Sequence, residues 1–561
     1  MSLRDKHFLN RRREFLGGIS TAAIAAFAGL QPGQAHAATY NFAHGVASGD
    51  PLADRLVIWT RITAVGDAAP RVYWEVSTDP GFSRVVRSGL QPTNASRDFT
   101  VKVDVAGLQA GTLHYYRFLC GGRYSPIGRG RTLPVGDVSQ VKLAVFSCAN
   151  YPAGMFHAYA QAARMNDLDA ALHLGDFIYE YDRNGYASAN AAALGREVLP
   201  ANECLSLADY RLRYAQYRSD PDLQAISAAL PLIAIWDDHE VADNAYAGGA
   251  TNHTEATEGP FATRQAAALR AYHEWLPTRL PDPSAPMLIY RSFDWGTLLS
   301  LHMLETRLIA RNKQLEYSSF IDAQGVNGAA LDAAANAADR EILGATQMNW
   351  LKGQMAASQA TWQVVGQQVR MAETRIPASI ALGQISFAGY EALQARADAG
   401  QPLSRAERYI LAQPWVPTNL DAWDGYGADR AKLLNAAADL DRNLVVLAGD
   451  THNAWANELS DAQGRAVGIE FATPGVSSPG MEASRPTDTP EQMEQWLLAN
   501  CPGLRYAEAS HRGFMVITAT PGSCKAEWYF VSTVESRDYQ TWRGGSWQTQ
   551  PGTSQRRLAP A

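Results

Sequence analysis

Short hydrophobic segments with alternating polar positions occupy the first part of the chain after residue 40. They lie at 55–62 (RLVIWTRI), 71–78 (RVYWEVST), 99–105 (FTVKVDV) and 113–120 (LHYYRFLC). Turn-forming residues separate these segments, as at 79–81 (DPG) and across the glycine-bounded stretch 107–111. Strands this short and regularly spaced predict a small all-β sandwich of the fibronectin or immunoglobulin type over residues 40–135.

The pattern then changes to nearly continuous apolar runs separated by segments of helical spacing. The apolar runs, which are typical of buried strands, lie at 141–146, 168–174, 230–236, 298–304, 362–369 and 443–448. Helical spacing is found at 156–168, 206–217, 258–275 and 340–355. This alternation predicts a layered α/β domain over 140–535, with β-sheets packed between helices. Residues 185–201 and 312–338 are expected to form loops or short helices, and 536–561 a C-terminal tail without periodicity.

A basic segment followed by an apolar run opens the chain. Arg12 and Arg13 precede x-Phe-Leu, the apolar run covers 15–30, and 35–37 (AHA) offers a cleavage site. We therefore expect a twin-arginine signal peptide at 1–37 and export by the twin-arginine translocase, to the bacterial periplasm or the medium. A membrane anchor is the alternative, but the run is short and rich in small residues. No permanent membrane span is expected.

Composition and charge narrow the class of protein. The chain has 561 residues, 46% of them hydrophobic and 19% charged, which is typical of a soluble globular protein with more than one domain. The formal net charge is −7, and removal of 1–37, with five basic and two acidic residues, makes it −10. A chain this acidic is not expected to bind nucleic acid.

Five cysteines are present, an odd number for a protein in an oxidising compartment. Cys501 can pair with Cys524, and Cys120 with Cys204, although spacing alone does not decide the connectivity. Cys148 is then left over. It follows an apolar run directly, which makes it a candidate for chemistry rather than for a disulfide.

Four of the apolar runs finish in polar clusters. These clusters are LAVFSCANY at 143–151, LHLGDFIYEY at 172–181, IAIWDDHEVADN at 233–244 and VVLAGDTHNAW at 445–455. Taken singly, Asp176 can cap a turn, Asp450 can start a helix and His239 can be a hydrogen-bonded core histidine. The carboxyl ends of strands in an open sheet meet at one edge, however, and carboxylates gathered there repel one another unless cations neutralise them. The four clusters together therefore predict a metal site.

These clusters resemble the motifs of the calcineurin-like metallophosphatases. The segments 175–179 (GDFIY), 238–240 (DHE) and 449–452 (GDTH) are similar to that group's GDxxY, GNHE and GHxH blocks. The similarity is closer to the alkaline phosphatase D, or PhoD-like, family, in which FSCAN, GDxIYEY, WDDHE and GDTHxxW are typical. Further similar segments cover nearly all of the chain beyond 1–37; they lie at 42–51, 57–62, 74–82, 423–426 and 470–480.

The resemblance implies an exported alkaline phosphatase that hydrolyses small phosphate esters through a metal-bound hydroxide. It implies iron(III) with one or two calcium ions, or other divalent ions, as cofactors. Thiolate and phenolate are donors that suit a hard trivalent ion, and carboxylate oxygens favour calcium over zinc. The expected metal ligands are Cys148, Asp176, Tyr179, Asp238, Asp450 and His452.

Other residues near these motifs have less specific expectations. His239 is the expected catalytic residue, which stabilises the transition state or protonates the leaving alcohol. Asn150 and Asn244 are additional candidate ligands, with a turn-forming role as the alternative. Arg307 and Arg370 are candidate phosphate-binding residues, with a surface or helix-capping salt bridge as the alternative. Glu305 stands where the family more commonly has Asp, which leaves the local contacts of this segment open.

Two other functions fit the sequence. A phosphodiesterase or phospholipase D-like activity on the same scaffold is one, because the walls of the pocket, and not the metal chemistry, select monoesters or diesters. The other is a non-catalytic surface or sugar-binding protein with a degenerate enzyme domain. The latter is disfavoured because every position that the chemistry needs carries a donor.

Overall fold

A computed structural model describes residues 40–63, 69–323 and 325–561. The predicted signal peptide at 1–37 lies outside the described residues. The strands, in chain order, are β1 (Val46–Gly49), β2 (Arg55–Arg61), β3 (Arg71–Ser77), β4 (Val85–Pro92), β5 (Thr100–Ala106), β6 (Leu113–Cys120), β7 (Arg123–Tyr124), β8 (Gly128–Arg131), β9 (Val141–Phe146), β10 (Ala170–His173), β11 (Pro231–Ala234), β12 (Arg291–Trp295), β13 (Leu299–Met303), β14 (Ile321–Asp322), β15 (Gly325–Val326), β16 (Trp362–Gly366), β17 (Arg375–Pro377), β18 (Trp415–Pro417), β19 (Leu444–Ala448), β20 (Ala454–Ser460), β21 (Ala466–Ala472), β22 (Leu504–Glu508), β23 (Gly513–Ala519), β24 (Cys524–Val531), β25 (Thr541–Thr549) and β26 (Ala559–Pro560).

The α-helices are mostly short and lie between strands of the body. They span His157–Ala163, Ala191–Leu194, Leu207–Arg218, Pro221–Ala229, Glu255–Glu258, Phe261–Trp275, Gly328–Ala335, Gly344–Ala357, Ala378–Ala381, Phe387–Asp398, Arg405–Leu411, Gly427–Asp439, Met481–Ser484 and Pro490–Asn500. Side-chain caps start several of them, for example Ser206, whose hydroxyl accepts from the backbone N–H of Asp209. No helix in the described ranges has the length and hydropathy that a membrane crossing requires.

Two large sheets form the body. One has ten strands in the order β26-β25-β24-β23-β9-β10-β11-β1-β2-β5, and the other has seven in the order β12-β13-β16-β19-β21-β20-β22. The centre of each is parallel: β9, β10, β11 and β1 in the first, and β13, β16, β19 and β21 in the second. Polar loops at the carboxyl ends of these parallel strands therefore converge, as the sequence predicted.

The two sheets pack face to face between helices. Val364 and Val445 of the seven-stranded sheet belong to the same buried cluster as Leu143 of the ten-stranded sheet. Their chain neighbours Val365 and Val446 point to the opposite face. There they pack with Leu351 and Leu433, which lie on the helices Gly344–Ala357 and Gly427–Asp439. The alternation of side chains along each strand thus separates two apolar layers, and the predicted α/β class with an N-terminal all-β region is confirmed.

The N-terminal sandwich shares a sheet with the body. β3, β4, β6, β7 and β8 form a sheet of their own, whereas β1, β2 and β5 continue the ten-stranded sheet through parallel pairing of β1 with β11. Between the two sheets lies a separate apolar cluster that includes Leu56, Ile58 and Phe118. The division into domains at 40–135 and 140–535 stays a prediction, and the backbone pairing crosses that boundary.

All five cysteines are buried and unpaired. The disulfides considered from the sequence are therefore wrong. The reason is location: Cys120 belongs to the sandwich core, Cys501 to the cluster around Trp496, and Cys204 and Cys524 to the main core between the sheets. Each of these four thiols packs as a small apolar side chain.

The C-terminal segment is not a tail. β25 pairs with β24 along its length and β26 pairs with β25, so 541–560 builds the edge of the ten-stranded sheet. The prediction of a tail was wrong because Trp542 and Trp547 are the only large apolar residues of β25, and two such residues are too few to indicate a strand. Leu558 and Arg556 are both less than 10% exposed.

We expect removal of residues 540–561 to lower the thermal unfolding midpoint. The deletion uncovers the hydrogen-bonding edge of β24 and removes buried Leu558, whose packing alone contributes about 2 kcal/mol. Calorimetry of the truncated and full chains measures the effect, and Leu558→Ala should reproduce part of it. An unchanged midpoint would restore the interpretation of this segment as a tail.

Candidate metal centre

The residues selected from the sequence meet where the parallel strands end. Cys148 follows β9, Asp176 follows β10, Asp238 follows β11 and Asp450 follows β19. The backbone there is unusual: Cys148, Asp176, Asn244, Asp450 and His452 all have left-handed φ values, between 53° and 61°. Such conformations cost of order 1 kcal/mol or more each and persist where the surrounding structure enforces them, often at functional sites.

Cys148, Asp176, Tyr179 and His452 form one end of the site. A ligand atom from each of Cys148, Asp176 and His452 lies within 4.8 Å of the other two. The Tyr179 hydroxyl donates to Asp176 Oδ2 at 3.1 Å and lies 3.3 Å from His452 Nε2. Burial first, and then the Asp176 charge, raise the pKa of both the Cys148 thiol and the Tyr179 phenol well above their ordinary values.

The orientation of His452 is set by the turn 477–480. Its Nδ1 lies 2.8 Å from the carbonyl oxygen of Pro479, to which Nδ1–H donates. Burial lowers the pKa of His452 to about 4, so the ring is neutral. The proton on Nδ1 leaves the lone pair of Nε2 facing Asp176 and Tyr179, which is the tautomer that a metal ligand needs.

Carboxylates dominate the other end of the site. Single oxygens of Asp237, Asp238 and Asp450 lie within 4.8 Å of one another, and Asp176, Asp238 and His239 form a further group of that size. Burial raises the pKa of Asp450 to about 7, and that of Asp237 well above its ordinary value. Burial acts in the same direction on Asp238, but Arg307 and His239 outweigh it and lower that pKa.

Arg307 is the only basic group that bonds these carboxylates within the described chain. It is fully buried, and its guanidinium contacts Asp237, Asp421 at 2.7 Å and Asp450 at 3.4 Å. Asp238 is 3.7 Å away. The structure therefore places Arg307 neither on the surface nor at a helix cap. Phosphate binding by Arg307 stays a prediction, since carboxylates occupy the guanidinium here.

Several buried oxygens in the site have no hydrogen-bond donor among the described residues. Three belong to carboxylates of the two groups, namely Asp176 Oδ1, Asp237 Oδ2 and Asp238 Oδ1, and a fourth, Asn150 Oδ1, lies two residues after Cys148. Buried acceptors without a donor are costly, and each pair of like charges at about 5 Å repels by about 3 kcal/mol at an effective dielectric constant of 20. Buried oxygen atoms that converge without hydrogen-bond donors fit bound cations. The residues present thus suit the metals that the sequence predicted.

His239 stands beside the donors with a partner of its own. Its Nδ1 donates to Glu180 Oε2 at 2.8 Å, and its ring stacks on Tyr179 with centroids 4.2 Å apart. Burial alone would lower the pKa of His239, but Asp238 and Glu180 raise it well above the ordinary value. Its Nε2 has only a long contact, 3.9 Å to Asp243. A protonated imidazole held in this way can donate from Nε2.

Sequence reasoning missed the groups that support the site. Glu240 accepts the backbone N–H groups of Asp176, Phe177 and Asp237, and so ties the loops after β10 and β11 together. Glu180 holds His239, and Asp237 joins the carboxylate group. The signal was available, because Glu180 lies in the GDFIYEY segment and Asp237 and Glu240 in WDDHE; only their neighbours were selected.

The remaining candidates fall in different places. Asn150 is buried with one free oxygen, as above, and Asn244 donates its backbone N–H to Asp238 Oδ2 at 2.6 Å. Arg370 lies apart: it donates to Thr374 and covers the ring of Trp455 at 4.3 Å.

The contacts of Glu305 show what its side chain does at a position where the family more commonly has Asp. Its carboxylate accepts the backbone N–H groups of Arg307 and Leu308, each at 2.8 Å, and the indole N–H of Trp236 at 2.9 Å. Its longer side chain thereby holds the loop that presents Arg307.

Comparison with known proteins agrees with this architecture. The family model described as PhoD-like phosphatase matches residues 143–528, and its N-terminal domain model matches residues 26–134. Alkaline phosphatase D of Bacillus subtilis (strain 168) is 34% identical over 506 residues, which cover 87% of this chain and 77% of that protein. A solved structure of PhoD superposes with a TM-score of 0.75 at 30% identity and covers 95% of this chain and 93% of its own. The chain therefore belongs to the PhoD-like phosphatase family and is a phosphoric ester hydrolase.

Proposed function

We propose that this hydrolase acts as an exported alkaline phosphatase with one iron(III) ion and one or two calcium ions at the site. The observation that carries the proposal is the juxtaposition of a thiol, Cys148, and a phenol, Tyr179, with the shared carboxylate Asp176. Small phosphate esters are the expected substrates.

The iron would be held by Cys148, Asp176, Tyr179 and His452. The thiol and the phenol have raised pKa values, so a strongly acidic cation is best suited to displace both protons. Iron(III) is such an ion, and the neutral Nε2 of His452 completes the set. Zinc would not need a phenolate donor.

Calcium would be held at the other end by oxygen donors. Asp237, Asp238 and Asp450 supply carboxylates, Asp176 lies between the two ends, and the free oxygen of Asn150 is a further candidate. Asn244 is a weaker candidate, because its amide donates to Asp243 at 3.1 Å. Oxygen-only surroundings favour calcium over softer divalent ions.

When bound, these cations would lower the pKa of a water molecule and neutralise the charge of the phosphate oxygens. The protein's own task is to supply a proton to the leaving alcohol. His239 is the group placed for this, since Glu180 fixes its Nδ1 and leaves Nε2 toward the site. Glu240 keeps the loops that carry Asp176 and Asp237 in register. Arg307 balances the carboxylates while the site is assembled.

Export by the twin-arginine route also forms part of the proposal. The five unpaired, buried cysteines support folding in a reducing compartment, as does the pattern at Arg12 and Arg13. A translocase that carries folded proteins would deliver such a chain without a need for disulfides.

Replacement of Cys148 tests the iron site. A thiolate or phenolate on iron(III) gives a visible charge-transfer band, so the purified enzyme should be coloured and contain iron. Cys148→Ala should lose iron and colour and at least about a hundredfold in kcat/KM on p-nitrophenyl phosphate, since even outer-shell changes cost 10–100-fold. Cys120→Ala, which removes a buried thiol of the sandwich core, is the matched control and should keep all three. Full activity and iron in Cys148→Ala would refute the site.

Metal removal should destabilise the protein more at high pH. Burial raises the pKa of Asp450 to about 7 and of Glu240 to about 8, above their unfolded values, so the metal-free fold is favoured at low pH and loses stability as pH rises through 7 to 8. Cations bound among these carboxylates would favour their charged forms and so offset that loss. We expect calcium and iron to raise the unfolding midpoint of chelator-treated protein more at pH 8.5 than at pH 5.5. Asp450→Asn should shrink the difference, and an equal rise at both pH values would contradict the assignment.

Exchange of Arg12 and Arg13 for lysine tests the export route. Lysine keeps the charge of the segment but not the pair that the translocase reads. We expect the double variant to stay in the cytoplasm, whereas Arg4→Lys is exported normally. Fractionation with a phosphatase assay measures both, and export of the double variant would exclude the twin-arginine route.

A further inference from the structure

A cleft of about 360 Å³ lies directly beside the metal centre. Its wall includes Ser477, Pro479, Ala187, Ala189, Ser532 and Arg512. A volume of this size accommodates a small organic group, and the lining combines short or hydroxylated side chains with a few charged ones. The roles proposed for the metal donors do not use this space.

The turn 477–480 separates the cleft from the metal donors. On one side, the Ser478 hydroxyl lies 2.7 Å from the Tyr179 hydroxyl and donates to the carbonyl of Cys148 at 3.0 Å. Pro479 accepts from His452, as described above. The other side of Ser477 and Pro479 forms the wall of the cleft. A molecule in the cleft is therefore one turn of chain away from the proposed iron ligands.

Tyr186 stands between the site and the cleft. Its hydroxyl lies 3.3 Å from His452 Nδ1 and 3.4 Å from the Pro479 carbonyl, and 38% of the residue is exposed. The next residue, Ala187, already lines the cleft. An ester whose phosphate sits at the metal donors can thus pass its alcohol portion over the Tyr186 ring into the cleft.

Arg512 brings a guanidinium to the wall of the cleft. Its Nη1 contacts Glu482 Oε1 at 2.6 Å and the carbonyl of Ser510, whereas its Nη2 has no hydrogen-bond acceptor in the described part of the chain. Glu535 also lines the cleft, but Asn190 donates to its carboxylate at 2.7 Å. Arg512 therefore has hydrogen-bonding capacity left for a ligand, and a guanidinium suits an anionic one.

We propose that this cleft is the subsite for the leaving alcohol, and that Arg512 selects phosphate esters whose alcohol carries a second anionic group. The inference rests on the proposed function, because it assumes that the phosphate binds at the metal donors. It adds a substrate class, and Arg512 becomes a specificity-determining residue. A charge-assisted hydrogen bond contributes enough to favour such esters by about ten- to a hundredfold.

Two esters of the same size test the proposal. 3-Phosphoglycerate and glycerol 3-phosphate differ only in a carboxylate that replaces a hydroxymethyl group. We expect the wild-type holoenzyme to have a kcat/KM at least about tenfold higher for 3-phosphoglycerate. Arg512→Gln should abolish most of this ratio and Arg512→Lys should keep part of it. Arg537→Gln, at an exposed arginine that pairs with Asp222, is the matched control and should retain the ratio.

The absence of a preference in the wild type would overturn the proposal, and so would equal losses on both esters in Arg512→Gln. A second variant, Ala189→Trp, tests the cleft in case Arg512→Gln fails to fold. The new indole would fill the cleft from the loop after Tyr186 and leave the guanidinium intact. This variant should weaken the apparent binding of 3-phosphoglycerate, measured as a rise in KM, by a larger factor than that of methyl phosphate, whose alcohol is too short to enter. Equal factors would also overturn the proposal. Metal analysis of the same preparations tests the iron and calcium assignment independently. A failure of that assignment can then be distinguished from a failure of the subsite proposal, which only the ratios test.

Discussion

Repulsion among buried carboxylates is the constraint on which the rest of this structure depends. Asp176, Asp237, Asp238 and Asp450 approach one another at the ends of strands from two different sheets. The guanidinium of Arg307 contacts Asp237, Asp238 and Asp450, and the imidazole of His239 lies beside Asp176 and Asp238. These two basic groups do not offset four carboxylates in a medium of low dielectric constant, and burial raises the pKa of Asp237 and Asp450 accordingly. The strands of the two sheets hold this cluster together against its repulsion, and its donor set suits cations that would reduce that repulsion.

The way the backbone is anchored follows from that constraint. Left-handed residues at the ends of β9, β10 and β19 direct donors into one volume, and Glu240 ties two of these loops through three backbone N–H groups. Rigid anchors matter because a repelling cluster would otherwise spread apart. The same rigidity fixes His239 through Glu180 and His452 through Pro479. In each of the two histidines, one nitrogen bonds to the protein and the other is left for the site.

Much of this arrangement could be predicted from the sequence, for definite reasons. Strand ends such as FSCAN and GDTH mark the site because buried strands have a clear apolar signature and their polar ends stand out. Supporting groups were harder to find. Glu240 lies inside the WDDHE motif, where nothing local distinguishes a supporting carboxylate from a ligand, and Asp421 acts through Arg307 and Arg311, which lie far from it in the chain. β25 was missed because an edge strand with one packed face carries few apolar residues. The cysteine pairings failed because distance in space is not visible in spacing.

The pairing of β9 has a consequence for the order of events in synthesis. This strand carries Cys148 at its end, yet its antiparallel neighbour β23 spans Gly513–Ala519, near the end of the chain. Ser478 in the turn 477–480, whose hydroxyl donates to the Cys148 carbonyl, is synthesised almost as late. Contacts between such distant segments form slowly and only after the ribosome has released nearly all of the chain. The candidate metal centre therefore forms late in folding, so a chain that lacks its C-terminal strands cannot assemble the site.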